Sequence, residues 1–136
     1  MYTSYINQCY TYIKNSNETI SDVLKCTKAE LLKVDVRLLN IIQMTQLKKH
    51  TVKHIRDDLK QYKWMLGDCV RSGEAIKARR DLSKRLDTEV KELGVLESER
   101  VELYKRQTDL FDKRDEAMEL YRKVELMRTK LNKVRQ

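Results

Sequence analysis

Apolar residues recur every seven positions along the first half of the chain. One line of this repeat comprises Leu24, Leu31, Leu38, Thr45, Val52, Leu59 and Leu66, with threonine as its single polar member. A companion line three residues further on comprises Thr27, Val34, Ile41, Lys48, Ile55 and Tyr62, and it continues backwards through Ile20, Ile13 and Ile6. Two such lines are typical of the buried seam of a coiled coil. The pattern predicts a first helical arm over residues 4–66.

A polar stretch at residues 14–18, Lys-Asn-Ser-Asn-Glu, interrupts this arm with weak helix formers. The stretch is compatible with a fray, a break or a second N-terminal cap. Because the apolar line continues on both sides of it, we predict one continuous helix that is weakest here.

A second apolar line covers the last third of the chain. It comprises Leu96, Leu103, Leu110, Ala117, Val124 and Leu131. Further apolar residues flank it and drift around the helix, which is typical of a nearly straight helix crossed slowly by its neighbour. The remaining flank carries Arg100, Gln107, Arg114 and Arg128, where a closed seam would be apolar. These positions predict either an open, hydrated edge or a surface that faces a partner.

Residues 67–73 separate the two arms and predict a turn. Gly67 is suited to follow the last residue of the first helix, and Ser72 is suited to cap the second, with Glu74 in its first turn. The second arm then covers residues 74–136, equal in length to the first. We predict a single all-α domain over residues 1–136, in which two long antiparallel helices form a coiled-coil hairpin. The heptads also fit an intermolecular coiled coil, and the glycines and equal arms favour the hairpin.

Gly94 lies inside the second arm. A glycine in a helix interior lowers helix stability by about 1 kcal/mol relative to alanine. We therefore expect either a bend at Gly94 or a close contact with the facing helix near Leu47.

Composition and charge agree with solvated helices. Among the 136 residues there is no proline, 37% are charged and 40% are hydrophobic. The formal net charge is +8, and residues 1–70 and 71–136 each contribute +4. Evenly interleaved charge of this kind is typical of the exposed face of a coiled coil.

A basic cluster follows the predicted turn. It comprises Arg71, Lys77, Arg79, Arg80, Lys84 and Arg85. Because no nucleic-acid-binding motif accompanies it, we expect no nucleic-acid partner. A solvated basic face is the favoured interpretation, followed by docking to an acidic protein surface and then by phosphate or acidic lipid recognition.

Cysteine usage and the first residues bear on the compartment. Cys9, Cys26 and Cys69 are odd in number and show no paired spacing, so we expect a reducing compartment. The sequence shows no secretory leader and no run of 18 apolar residues. We expect a soluble, cytoplasmic protein without membrane insertion.

Candidate catalytic chemistry is sparse. His50 and His54 would share one helix face, a geometry that permits metal binding, but the sequence Lys-Lys-His-Thr-Val-Lys-His-Ile-Arg around them is strongly basic. Cys69 lies near Arg71, which could lower the pKa of a thiol, although an incidental cysteine is the simpler interpretation. Neither a phosphate-binding loop nor an acid and base pair is present. We expect no catalytic activity, no cofactor and no metal.

The first residues are unusually aromatic. The face formed by Tyr2, Tyr5, Ile6, Cys9, Tyr10 and Ile13, with Tyr12 beside it, is wider than pairing with one returning helix requires. It predicts a docking site. The alternative is local packing against Met127, Leu131 and Val134.

The second arm resembles a known family. Its sequence carries Ser-Gly-Glu-Ala-Ile at 72–76, Lys84-Arg85, Val90, Glu99-Arg100, Glu102-Leu103, Lys105-Arg106 and Tyr-Arg-Lys-Val-Glu at 121–125. In these residues, across about 70–136, it is similar to the FliJ/YscO/InvI-type central stalk proteins of flagellar and type III secretion systems. Those proteins are short, charged, cytoplasmic helical hairpins.

The resemblance implies a non-enzymatic stalk that acts as a monomer within a larger complex. Such a stalk sits in the pore of a hexameric secretion ATPase, couples ATP hydrolysis to protein export and contacts the export gate protein, so it is peripheral to a membrane-embedded assembly. The residues implied to contact the ATPase ring are Arg114, Arg122, Arg128, Lys130 and Arg135. The hydrolytic residues would belong to the ATPase.

The alternative function is that of a structural coiled-coil subunit in a cytoskeletal or kinetochore-like scaffold. A stalk should be monomeric alone and should stimulate an ATPase, whereas a scaffold subunit should dimerise or need a partner helix. Under either interpretation the candidate partner-binding residues are Tyr5, Tyr10, Arg79, Arg80, Arg100, Arg114, Arg122, Arg128, Lys130 and Arg135.

Overall fold

The protein is an all-α helical hairpin. The computed structural model describes residues 2–68 and 73–135, with side chains over residues 3–62 and 73–135. Helix α1 comprises Tyr2–Asp68 and helix α2 comprises Gly73–Arg135. The two helices pack against each other along the predicted heptad lines, so the predicted fold class is confirmed.

The helix bounds differ from the predicted ones by a few residues. α1 is continuous through the polar stretch 14–18, in agreement with the prediction of one helix. It also extends through Gly67 to Asp68, so Gly67 lies inside the helix and does not follow its last residue. Boundary differences of one or two residues are common because a helix end frays. The predicted cap, Ser72, lies outside the described residues.

The helix contacts divide into two compact units. Unit 1 comprises Met1–Asp35 and Lys105–Gln136, and unit 2 comprises Val36–Tyr104. Each unit therefore contains a segment of both helices. In each unit, the later residues of α1 pair with the earlier residues of α2. The two helices are therefore antiparallel, as in a hairpin.

The core of unit 1 is a narrow seam. A cluster of Ile13, Ile20, Ala117 and Val124 is packed against Leu24 and Leu131. Polar contacts bridge the helices beside it. Asn17 Nδ2 donates to Glu125 Oε1 at 3.3 Å, Arg106 forms an ion pair with Glu30 at 2.7 Å, and Gln107 donates to Asp35 at 2.8 Å.

Unit 2 has the same construction. Its buried residues are Leu38, Ile41, Thr45, Val52, Ile55 and Leu96. Lys48, the polar member of the companion line, is half-buried and donates to both Glu89, at 2.7 Å, and Glu92 of α2. The long lysine stem covers the apolar seam while its ammonium group contacts carboxylates. The seam therefore stays covered at this position, although the heptad line has a charged residue there.

Gly94 does not mark a close approach of the helices. α2 passes through it without interruption, and a Cβ placed on Gly94 would meet no atom within 4 Å. Leu47, the expected neighbour, is itself largely exposed. The expectation of a close contact at this glycine is therefore wrong.

Candidate functional site

An apolar groove in unit 1 is the best-formed candidate site. It has a volume of about 440 Å³ and is open to solvent along one side. Its α1 lining is Tyr5, Gln8, Cys9 and Tyr12, and its α2 lining is Met127, Lys130, Leu131 and Val134. Both sets recur at intervals of three and four residues, so each helix contributes one face to the groove.

The floor of the groove is continuous with the core of unit 1. Leu131 lines it and also packs against the buried cluster that contains Ile13 and Val124. Above this floor the aromatic rings remain accessible, since Tyr5 is 64% exposed and Tyr12 is 57% exposed. The helix that returns along α1 thus covers part of the aromatic face and leaves its rim uncovered.

The two interpretations of the aromatic face turn out to be compatible. The residues expected to pack against it, Met127, Leu131 and Val134, do lie against Tyr5 and Tyr12. They form the opposite wall of an open groove and do not fill it. The sequence analysis missed this combination, although the antiparallel register of two faces with the same spacing was the available signal.

Tyr10 and Arg135 lie beside the groove and contact each other. The Tyr10 hydroxyl donates to Asn132 Oδ1 at 2.5 Å, and the Arg135 guanidinium lies 5.5 Å from the centre of the Tyr10 ring. These contacts join α1 to α2 in this part of unit 1. Of the predicted partner-binding residues, Tyr5 and Lys130 line the groove, whereas Tyr10 and Arg135 have an intramolecular role.

The sequence around the groove is basic throughout. Residues 2–17 and 126–135 contain no aspartate or glutamate, and their five cations are Lys14, Arg128, Lys130, Lys133 and Arg135. Arg128 is engaged by Glu125 at 3.2 Å, from one turn earlier on α2. A groove with apolar walls and cations around it is suited to a ligand that is apolar on one side and acidic at its margins.

Other predicted arginines contact neighbours on α2. Arg100 lies 5.7 Å from the Tyr104 ring centre, Arg114 lies 4.8 Å from the Phe111 ring centre, and Arg122 pairs with Glu119 at 3.5 Å. Exposed pairs of this kind hold a side chain only weakly. Together with the Gln107 contact to Asp35, they show that the polar flank of α2 is lined by intramolecular contacts on the described residues.

The structure places two arginines of the basic cluster, the predicted partner-binding residues Arg79 and Arg80, in different surroundings in unit 2. Arg79 lines a shallow groove of about 280 Å³ with Arg56, Leu59, Lys60 and Ser83, and no carboxylate is among its lining residues. Arg80 is exposed beside it. Arg71 lies outside the described residues, as does Cys69.

Metal and cysteine chemistry is limited in the described residues. No group of three or more histidine, cysteine, aspartate or glutamate side chains is placed to hold a metal ion there. Cys9 is a free thiol in the groove wall, and Cys26 is a free exposed thiol.

Within the described residues, neither helix has a stretch that is both long enough and apolar enough to cross a membrane. Comparisons of this chain with protein-family models, with curated proteins and with solved structures give no match.

Proposed function

We propose that this protein is a non-enzymatic coiled-coil stalk that couples a hexameric secretion ATPase to a protein export apparatus. The mechanical part of the proposal rests on the pairing of two long helices. In each unit a narrow apolar seam is accompanied by charged contacts from one helix to the other, such as Arg37 with Glu99 at 2.8 Å. Paired helices resist bending better than a single helix, which a coupling element requires.

The observation that carries the proposal is the open apolar groove in unit 1. It presents two accessible tyrosines and Lys130, and the sequence around it lacks acidic residues. Tyrosine is enriched at protein interfaces and is among the residue types that supply most of the binding free energy there. The resemblance of residues 70–136 to the stalk family names the partners, a hexameric ATPase ring and an export gate protein.

The test is stimulation of a secretion ATPase purified from the same organism. We expect the wild-type protein to raise the rate of ATP hydrolysis and the groove variant Tyr5→Ser with Tyr12→Ser to lose most of that effect. Tyr121→Ser is the matched control, because Tyr121 is also an exposed tyrosine of unit 1 but lies outside the groove. Equal stimulation of ATP hydrolysis by the groove variant and by the Tyr121→Ser control would mean that the ATPase contact lies outside the groove. Failure of the wild-type protein to stimulate hydrolysis would refute the stalk function.

A structural scaffold subunit is the second candidate, and a specific observation favours it. Val36, Leu39 and Leu47 are 53%, 58% and 69% exposed. At about 100° per residue they share the face of α1 opposite the seam residues Leu38 and Thr45. An apolar row on that outer face suits a helix from another chain.

Light scattering after size exclusion distinguishes the two candidates. A scaffold subunit should form a dimer that Leu39→Gln with Leu47→Gln dissociates. A stalk should be monomeric in both forms.

A further inference from the structure

The histidines of α1 lie on its outer face in unit 2. His50 and His54 are exposed and four residues apart, so they stand one above the other on the helix surface. Their Nε2 atoms are 3.1 Å apart, the ring centres are 4.5 Å apart and the ring planes are nearly perpendicular at 86°. The two Nε2 atoms therefore lie next to each other on one face of the helix.

The distance between the nitrogens matches a chelate. Histidine nitrogens bind Zn²⁺ and similar ions at about 2.0–2.1 Å. Two nitrogens at that distance from one ion, at an angle between square and tetrahedral, are about 2.9–3.4 Å apart. The observed 3.1 Å lies within this range. Without a metal, one ring nitrogen donates to the other. To ligate a metal through Nε2, the donating ring would take the tautomer that carries its proton on Nδ1, which frees the Nε2 lone pair.

Two of the four cations around the pair, Lys48 and Lys49, contact carboxylates of α2. Lys48 is bound to Glu89 and Glu92 on the seam side, and Lys49 lies 4.0 Å from Glu97 of α2. Lys53 lines a groove formed with Val90 and Leu93 of α2. Arg56 and Asp57 line the same groove as Lys53, so the charges of Lys48, Lys49, Lys53 and Arg56 are all partly offset by nearby carboxylates.

Carboxylates follow the pair along the helix. Asp57 and Asp58 come three and four residues after His54, about one turn further along α1, and Asp57 also lines the groove that contains Lys53 and Arg56. They do not complete a three-ligand group. Their negative charge still favours a cation at the histidines.

We propose that His50 and His54 form an exposed chelating site for a divalent transition metal, namely Ni²⁺, Cu²⁺ or Zn²⁺. Two imidazoles supply two coordination positions, and water or a ligand from a partner fills the others. The affinity follows the usual order of these ions, with Cu²⁺ bound most tightly. Bound metal links two successive turns of α1 and stabilises the helix there.

Calorimetric titration of the reduced protein with NiCl₂ near pH 7.5 tests the site. We expect one Ni²⁺ per chain, and a loss of affinity on the order of 100-fold in His54→Gln, because one remaining imidazole cannot chelate. The matched control combines His54→Gln with Arg56→His. That variant keeps two histidines, but their separation of six residues places them on different sides of the helix, so its affinity should stay as low as that of His54→Gln.

Thermal unfolding supplies a second measurement. Saturating Ni²⁺ should raise the Tm of wild type, leave the Tm of both variants unchanged, and lose its effect when EDTA is added. The proposal is overturned if wild type and the Arg56→His control bind Ni²⁺ equally well. It is also overturned if Ni²⁺ at about 1 mM neither binds wild type nor raises its Tm.

Discussion

Thr45 is the most deeply buried polar side chain of the seam. It is 2% exposed, and its Oγ1 has no hydrogen-bond partner. Five other threonines, Thr11, Thr19, Thr51, Thr88 and Thr129, donate to the carbonyl four residues earlier. A buried hydroxyl without a partner costs about 1–3 kcal/mol of desolvation. A polar residue in a seam also disfavours other registers, which offers a reason for its presence.

Thr45→Val should therefore raise the free energy of unfolding by about 1 kcal/mol. Valine has nearly the same shape, stays β-branched and replaces the unpaired hydroxyl with a methyl group in the seam. Chemical denaturation followed by circular dichroism measures the change. Thr51→Val is the control, since Thr51 Oγ1 donates to the Leu47 carbonyl at 3.1 Å and its loss should give no gain. Destabilisation by Thr45→Val would mean that the hydroxyl is satisfied in solution.

The contact between Glu30 and Arg106 should depend on pH. The hydrogen bond from Arg106, together with the nearby charge of Lys33, holds the pKa of the Glu30 carboxyl below its usual value of 4.5. When the pKa of a carboxyl group is lower in the folded state than in the unfolded state, its ionisation stabilises the folded state at pH values above the unfolded-state pKa. This stabilisation is lost as pH falls through the folded-state pKa.

Glu30→Gln should accordingly be less stable than wild type at neutral pH, and the difference should disappear at acidic pH. We expect it to shrink as pH falls below 4.5, the range in which the wild-type carboxyl gains its proton. Unfolding by urea across this pH range, for both proteins, gives the difference directly. Glu116→Gln, at an exposed position of α2, controls for the change in net charge. A difference that persists unchanged at low pH would exclude the Arg106 contact as its source.

At the scale of the helices, Gly94 is a weak point of α2. The glycine is exposed and helical, its φ is not positive, and a Cβ would enter open space. Gly94→Ala should raise stability by about 1 kcal/mol, because alanine loses less backbone entropy on folding. Thermal unfolding checks this. Gly73→Ala gives a smaller gain, since Gly73 is the first residue of α2 and helix propensity matters least there. A loss of stability on Gly94→Ala would indicate that another chain approaches this position.

The heptad lines predicted the helices and most of the seam because side-chain burial in a coiled coil depends on sequence period alone. Ile13, Ile41 and Val124 are buried where the lines placed them. The polar members Thr45 and Lys48 also lie in the seam, as their positions in the lines required. Gly94 was misjudged because a glycine in a sequence does not reveal whether its neighbour is near.

The groove was only partly predictable for a similar reason. The spacing placed Tyr5, Cys9 and Tyr10 on one face with Tyr12 beside it, and Met127 and Leu131 were expected opposite, whereas the groove is lined by Tyr12 and not by Tyr10. Whether that face closes or stays open depends on how far the helices rotate relative to each other. Small differences in rotation leave the heptad pattern unchanged. The pairing of Tyr10 with Asn132 depends on the same rotation and had no sequence signal.

For the whole molecule, the direction of helix pairing is encoded in charged contacts as well as in apolar ones. Lys48 lies between Glu89 and Glu92 of α2, and reversal of its charge would place three carboxylates together. These carboxylates also raise the pKa of the Lys48 ammonium group, mainly through the hydrogen bond to Glu89. The Lys48 contribution therefore stabilises the folded state throughout the neutral range and is lost as pH rises through the raised pKa of Lys48, or as pH falls far enough to protonate Glu89 and Glu92.

Lys48→Glu should destabilise the protein, and addition of Glu89→Lys with Glu92→Lys should restore most of the loss. The measured quantity is the interaction free energy of the resulting mutant cycle, from urea unfolding at low and at high salt. It should weaken as salt screens the charges. The charge reversal Lys53→Glu is the control, since Lys53 lies in the same helix but lines the groove formed with Val90 and Leu93. Its effect should not be rescued by Glu89→Lys with Glu92→Lys.

The seam can form within one chain or between two chains. The heptads permit a coiled coil between chains, in which α1 of one molecule pairs with α2 of another, with the same contacts as the hairpin. The two arrangements differ in their response to concentration, because unfolding of a dimer also releases a second chain. We expect a mass of 16.3 kDa by light scattering and a Tm that stays constant over about a 100-fold range of protein concentration. A Tm that rises with concentration, together with twice that mass, would show that the chain dimerises and would favour the scaffold function over the stalk. Persistence of the dimer in Leu39→Gln with Leu47→Gln would show that the seam, and not the outer face of α1, forms between chains.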